Sequence, residues 1–404
     1  MPTFEEARKI ILDSVVPLGA EKVETLEAIG RVLAEDVNAP WDMPLWDNTA
    51  MDGYAVRSED CREPVVLRLA GFLPAGSAMT DAVQSGAAVK VLTGAPIPPG
   101  ADAVVPFEEA DEAEGYVAIR GKVKPGDHIR FKGEDVKTGE TILPAGTVLR
   151  PSEISMLASF GKLFVPVHRR VRVAVLSTGD ELLEPGEPLA PGKIINSNSL
   201  ALAAAVRQTG AVPIMLGIAR DNRESLREKL AEGLKADVLI TSAGVSAGDR
   251  DYVRDVLDEL QVEQVFWKVD IKPGRPTAFA LHEGNPVFSL PGNPVSSLLT
   301  FEEFVRPALL KMMGHRRVLR PLISATLRDD IRKKPGRVNF IRVALEQENG
   351  EFFARSAGKQ DTGFLKTLLM ADGIAVVPAG QGDLKAGDRV DVQLIAGDGG
   401  LMEA

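Results

Sequence analysis

The sequence predicts a multidomain α/β plus β protein. A central doubly wound, mostly parallel sheet domain is flanked by a β-rich insertion domain, a helical N-terminal linker region and a C-terminal β-barrel-like domain. Three observations carry this. The chain has 404 residues, more than one ordinary core takes up. Between 168 and 317, apolar runs of strand length alternate with helical periodicities. Over the whole chain, a low aromatic share of 5% goes with 38 glycines and 27 prolines, the texture of many turns and several small modules.

Taken in order, the first segment joins residues 1–42 to 150–167. "EEARKIILDSVV" and "TLEAIGRVL" show apolar spacing of three to four and read as helices, and Thr3 followed by Glu6 has the spacing of a capping box. "PSEISMLASFG" returns to helix and is expected to pack back on them. Residues 43–149 read as short alternating strands punctuated by Gly and Pro, as in "AAVKVLTGAPIPPGADAVV". From 168 to 317, "VRVAVLS", "AVPIMLGIA", "ADVLITS", "EQVFWKVDI" and "NPVFSL" read as strands. "SLALAAAVRQTG", "RESLREKLAEGL", "DYVRDVLDEL" and the long "VSSLLTFEEFVRPALLKMMG" read as helices. From 318 to 404 the chain reads β again, with a hairpin about Asn349-Gly350 and "LKAGDRVDVQLIA" as a turn and an edge strand.

Composition excludes several functions. Cys61 is the only cysteine and only four histidines are present, so an intrachain disulfide or a Cys/His zinc site is not expected. A formal net charge of −10 lacks the basic footprint of a nucleic-acid binder. No apolar run approaches the ~20 residues of a bilayer span, and the N-terminus reads as an amphipathic helix, not a signal peptide. The cytoplasm is the expected compartment.

The chemistry-bearing residues cluster after the predicted strands. Ligands of open α/β sheets bind outside the strands' carboxyl ends. There the chain has "STGDEL", "ARDN", "TSAGVSAGDRD", "KPGRP" and "PGNPVS", carrying Asp180, Glu181, Asp221, Asp249, Asp251, Lys272 and Arg275. Glycine lets backbone approach a ligand, and N–H groups leading into a helix cradle an anion. Carboxylates beside such a cradle suit Mg²⁺ held partly by a ligand's phosphates. Each piece has a plainer reading: Asp221 as a helix cap, "STGDEL" as a capped turn, Lys268 and Lys272 as solvated charges, "TGAPIPPGADAVV" as a proline-stiffened turn. Five such loops on one rim argue together. In "DNTAMDGYAV", Asp47 and Asp52 stand between segments that ask for burial, and the reading to test is that both face a shared site holding a cation or an anion–metal complex, with Met51, Tyr54 and Val56 anchoring the loop so that Asp52 projects into it. Thr93 and Asp135 count only if they reach the same cleft as Asp52.

In order, "DNTAMDGYAV", "TGAPIPPGADAVV", "STGDEL", "TSAGVSAGDRDYV", "KPGRP" and "SLPGNPVS" resemble the molybdopterin molybdenumtransferases, the MoeA proteins, similar to the E domain of gephyrin. The resemblance spans the whole chain. It implies Mg²⁺-dependent insertion of molybdate into adenylylated molybdopterin, with release of AMP. It also implies an elongated homodimer of four-domain subunits, a MogA-like α/β domain, and transient contact with a MogA-type adenylyltransferase and other cofactor-biosynthesis proteins. Carried over by motif, the catalytic positions are Asp52, Thr93, Asp135, Glu181, Asp221, Asp251, Lys268 and Lys272. Glu181, Asp221 and Asp251 are the implied Mg²⁺ ligands. Ser242, Gly244, Ser246, Gly248, Arg275, Pro291, Gly292, Asn293, Pro294, Arg342 and Thr362 are the implied cofactor-binding set. Ala243 stands where the family usually has Gly and Arg275 where it usually has Lys, while Asp361 makes "KQDTG" more acidic than the common form. A Mg²⁺-dependent nucleotide phosphohydrolase and a non-catalytic anion-binding scaffold are the alternatives the same rim allows.

Overall fold

The computed structural model describes residues 1–77, 81–243 and 252–395. The chain divides into two compact units: Met1–Ala34, Gly146–Arg150 and Phe164–Ala404 form one, and Glu35–Ala145 with Pro151–Leu163 the other.

The second unit is built on a six-stranded sheet. Its strands run in the order Ala103–Pro106, Gly53–Val56, Ala87–Val91, Val65–Leu73, Tyr116–Ile119 and Ala110–Ala113. All neighbours are antiparallel except Val65–Leu73 with Ala87–Val91. The helix Pro151–Ser159 forms as the sequence predicts, but Met156 and the following Phe160 pack with Ala39, Met43, Val136 and Ile142 of this unit.

In the first unit the opening helix, Phe4–Ser14, has its capping box. Thr3 N–H donates to Glu6 Oε2 at 2.9 Å and Glu6 N–H to Thr3 Oγ1 at 3.3 Å. Its Phe4, Ala7 and Ile11 are buried at helical spacing, and Phe4 meets Phe304 and Phe340 edge-on. The second expected helix, "TLEAIGRVL", is only a 3₁₀ turn at Leu26–Ala28. Gly30 at φ +74° ends it, and Val32 and Leu33 extend to bridge Val148 and Val167.

The central sheet runs Val212–Ala219, Arg172–Thr178, Val238–Ser242, Asn285–Leu290, Ala278–His282, Glu263–Phe266. Its first four strands are parallel and Ala278–His282 is antiparallel to both neighbours. Successive side chains feed opposite cores, as a pleated strand requires. Val173 and Val175 pack with Leu202 and Val206 of the helix Ser197–Gln208, while Ala174 and Leu176 pack with Leu226 and Leu230 of Arg223–Gly233. Two expectations are corrected here. "EQVFWKVDI" stops as a strand at Phe266, and Ile271–Lys272 pairs instead with Val338–Asn339 of the C-terminal domain. The strand Ala278–His282 was not foreseen. The long helix is present as Pro294–Thr300, a π-helical turn Phe301–Val305 and Arg306–Met312. Pro307 has no N–H to give to a regular ladder there.

The C-terminal domain closes into a five-stranded barrel of Val338–Glu348, Glu351–Ser356, Leu322–Leu327, Arg389–Leu394 and Gly373–Val377, the last pairing back with the first. The hairpin turn at Asn349 and Gly350 has both residues at positive φ, 51° and 83°. Arg389–Leu394, expected at an edge, has neighbours on both sides, because closure leaves the barrel strands no edge there.

Candidate functional site

The register of the central sheet sets where its loops emerge. Thr178 lies beside Ala219, Ser177 beside Ser242, and Ser242 beside Leu290, so four strands end at one level. A cavity of about 440 Å³ opens there, lined by Thr178, Glu181, Asn196, Ser197, Asn198, Ser242, Ala243 and the Pro276 and Pro291–Pro294 loops.

Two helices begin at this cavity. Ser197–Gln208 is capped by Asn196, whose Oδ1 accepts from Ser199 N–H and from Ser177 Oγ at 3.0 Å. Asn198 Nδ2 donates to Ser242 Oγ and to the Gly292 carbonyl, both at 2.8 Å, tying helix, strand end and proline loop together. The second helix starts at Pro294, a residue suited to the first turn because its missing N–H is one a helix start leaves unpaired. N-terminal helix ends carry partial positive charge and free N–H groups, so this wall suits an anion. Asn196 Nδ2 is buried and has no acceptor among the described residues, one more donor for a ligand.

Among the described acids Glu181 alone lines the cavity, and Asp180 and Asp221 stand on the adjoining loops. Asp180 N–H donates to Asp221 Oδ2 and Asp221 N–H to Asp180 Oδ1, each at 3.2 Å, so the two loops hold each other. Asp221 is not the helix cap: Asn222 takes that role, accepting from Ser225 N–H at 2.9 Å. Gly179, at φ +144°, packs so closely on the Glu181 carboxylate that a Cβ there would collide with it. Glu181 and Asp221 are both exposed oxygen donors. Among the described residues no three His, Cys, Asp or Glu side chains form a metal-binding group. Gly244, Ser246, Gly248, Asp249 and Asp251 lie outside the described residues.

Ala243 adopts φ +75°, and its Cβ would lie 3.1 Å from a Cβ on Gly292. The position at which the sequence departs from Gly is therefore one whose backbone favours Gly.

The remaining predicted residues fall elsewhere. Lys272 lines a separate cavity of about 430 Å³ with Asp270, Lys334, Arg337 and Asn339. Lys268 is half-buried and Arg275 exposed, neither lining the rim cavity. Arg342 is fully buried in the barrel wall and donates to the carbonyls of Lys359 and Asp361, at 3.4 and 3.2 Å. Burial pulls its pKa down. The Asp361 carboxylate is engaged by Gly363 N–H at 2.9 Å, and Thr362 between them is half-exposed.

In the second unit, Asp52 Oδ1 accepts from both the N–H and the hydroxyl of Thr93, at 2.7 Å each, and these donors hold its carboxyl below the usual range. Tyr54 and Val56 are buried anchors, as expected, but Met51 is 39% exposed and anchors nothing. Gly53 does that work instead, since a Cβ there would strike the Val105 carbonyl of the paired strand. Asp47 does not join Asp52: its carboxylate takes the Lys132 N–H at 2.7 Å. Asp135 lines a different, open cavity with Met43, Pro44, Asn48, Arg130 and Glu134.

Sequence reasoning passed over Asn196 and Asn198, although the run "NSNS" before a helix is an N-cap signal.

Family models match three stretches: the MoeA N-terminal region (domain I and II) at 2–161, a probable molybdopterin binding domain at 174–311, and the MoeA C-terminal region (domain IV) at 324–395. The chain is 38% identical over 403 residues to molybdopterin molybdenumtransferase 2 of Mycobacterium tuberculosis, covering 97% of this chain and 99% of that one. It is 37% identical over 405 residues to a molybdopterin molybdenumtransferase of Nostoc, covering 96% and 93%. Among solved structures, the molybdopterin biosynthesis MoeA protein of Pyrococcus horikoshii superposes with a TM-score of 0.83 at 35% identity, covering 98% of this chain and 100% of that one.

Proposed function

The chain belongs to the molybdopterin molybdenumtransferase (MoeA) family, and on that premise we propose that it inserts molybdate into adenylylated molybdopterin with Mg²⁺, releasing AMP, in molybdenum cofactor biosynthesis. The observation that carries the reading is the rim cavity, where two helix starts and a buried amide donor face the exposed carboxylate of Glu181.

The work divides by chemistry. Asn196, Asn198 and Ser242, with the N–H groups of Ser197, Gly292 and Asn293, hold phosphate and pterin oxygens. Glu181 and Asp221, with Asp251 from the glycine-rich stretch, supply oxygen donors of the kind Mg²⁺ takes alongside water and substrate phosphates. Bound there, the metal would offset charge on the phosphoryl group that leaves with AMP. Catalysis then rests on positioning and fixed electrostatics, and no side-chain nucleophile is required. Lys268, Lys272 and Arg275 lie off the rim cavity and are assigned to attract the incoming oxyanion toward it. Asp52, Thr93, Asp135, Arg342 and Thr362 complete the assigned set. The proposal includes a homodimer, a cytoplasmic location and transient delivery of the adenylylated substrate by a MogA-type adenylyltransferase.

The test is AMP release from adenylylated molybdopterin. It should require Mg²⁺ and rise with added molybdate, with molybdenum transferred to the pterin. AMP release indifferent to molybdate would make the protein a phosphohydrolase, and no release at all would make it a binding scaffold. Sedimentation of the purified protein checks the dimer.

A further inference from the structure

A second cavity, of about 370 Å³, lies at the far end of the helix Ser197–Gln208 from the rim. Asn196–Asn198 at the start of that helix line the rim cavity, and Arg207–Gly210 at its end line this one. Twelve helical residues put roughly 18 Å between them.

Its walls are strongly cationic for a chain of net charge −10. Arg31, Arg170, Arg207, Arg306 and Arg320 line it, against Glu302 as the only lining carboxylate among the described residues. Arg306 and Arg320 share that carboxylate, at 3.4 and 2.7 Å. Arg31 is taken by Glu21 at 2.5 Å and by the His168 carbonyl at 2.6 Å. Arg170 and Arg207 have no acid partner among the described residues. The helix end contributes carbonyls, which disfavour an anion, but Arg207 stands in that last turn and opposes them. His168 and His315 also line the cavity, and burial together with Arg306 and His168 lowers the His315 pKa, as a positive surrounding requires. Phe301, Leu310 and Met313 give the wall an apolar stretch, beside Gln208 and Thr209. A bare oxyanion would leave most of this space empty. The volume lies in the range of small-molecule sites, and guanidinium forks match phosphate oxygens in pairs.

We propose that this cavity is a second ligand site, distinct from the rim, for a small organic phosphate whose apolar body lies on Phe301 and Leu310 and whose phosphate is held by Arg170, Arg207 and Arg320. The reading is independent of the activity assigned to the rim.

Phenyl phosphate supplies both halves of that chemistry and serves as the probe, with phenol and inorganic phosphate as partial ligands. Calorimetric titration at about 0.15 M salt keeps the two sites electrostatically separate, since the screening length of ~8 Å is well short of the helix. Asn198→Asp, which puts a carboxylate in the rim cavity, removes rim binding from the titration. In that background phenyl phosphate should bind more tightly than phenol or phosphate. The further double substitution Arg170→Ala/Arg207→Ala, at two exposed positions, should weaken it by about tenfold or more. Arg320→Lys, in a protein that otherwise retains its arginines, should weaken it less than the double change. Binding unchanged by the double substitution, or no heat from the Asn198→Asp protein at millimolar probe, overturns the proposal.

Discussion

Replacing Glu303 by glutamine should make the first unit more stable at neutral and alkaline pH, and the size of the gain follows from where this carboxyl sits. It is 2% exposed, in the π-helical turn between the central sheet and the barrel. Among the described residues its Oε1 has no partner, Oε2 takes only a long bond from Gln393 at 3.4 Å, and Arg8 stands 3.9 Å away. Burial, opposed only weakly by Gln393 and Arg8, moves the carboxyl from its ordinary value near 4.5 up to about 7. A group whose folded pKa is raised favours the folded state while protonated. Its contribution is full below about pH 4.5, declines as the unfolded chain ionises, and is gone above about pH 7. At 1.36 kcal/mol per pH unit, the distance between those values amounts to about 3 kcal/mol. Glu303→Gln keeps the shape and removes the ionisation. Thermal unfolding followed by calorimetry should show the parent's midpoint falling between pH 5 and 7 relative to the variant. The two should be nearly equal at pH 4, and the variant higher by several degrees at pH 8. A difference that is the same at both pH values, or a variant less stable at pH 8, would refute the reasoning.

Three further outcomes are expected. Asp221→Ala should reduce molybdate-stimulated AMP release by at least about tenfold while circular dichroism stays unchanged, because Asn222 and not Asp221 caps the following helix. Ala243→Gly should raise the unfolding midpoint or leave it unchanged despite added chain freedom, since relief of a left-handed alanine is worth about 1 kcal/mol; a drop of that size would show the alanine to be well accommodated. Gly53→Ala should unfold the second unit at lower temperature, by roughly 2 kcal/mol or more, detected as loss of protection from hydrogen exchange in Ala103–Pro106, the strand it would strike.

Much of this molecule was legible in the chain, and the reasons are local. Strand and helix periods named the central domain correctly because Val173 to Leu176 alternate between two cores and the helices cover both. The thread of Gly and acidic residues after each strand pointed to one rim because parallel strands must end together. What failed depended on partners distant in sequence. No feature of "VDVQL" announces two neighbours: that follows from Gly373–Val377 pairing with Asn339–Val343 across the barrel. "IKPG" reads as a continuation of the preceding strand, yet Ile271 and Lys272 find Val338 and Asn339. Arg342 is carried over by motif alone, and only the fold reveals its burial and the two backbone carbonyls that accept from it.

The crossed amide-to-carboxylate bonds between Asp180 and Asp221 make a clasp between two turns that are 41 positions apart. Neither turn can shift outward without surrendering a bond at both of its ends, so a guest tugging on one drags the other along. Severing the clasp from either side would therefore loosen the loop that carries Glu181 and the turn at Asp221 together, while Asn222 keeps the Arg223–Gly233 helix capped, and damage done at one turn would be felt at its mate.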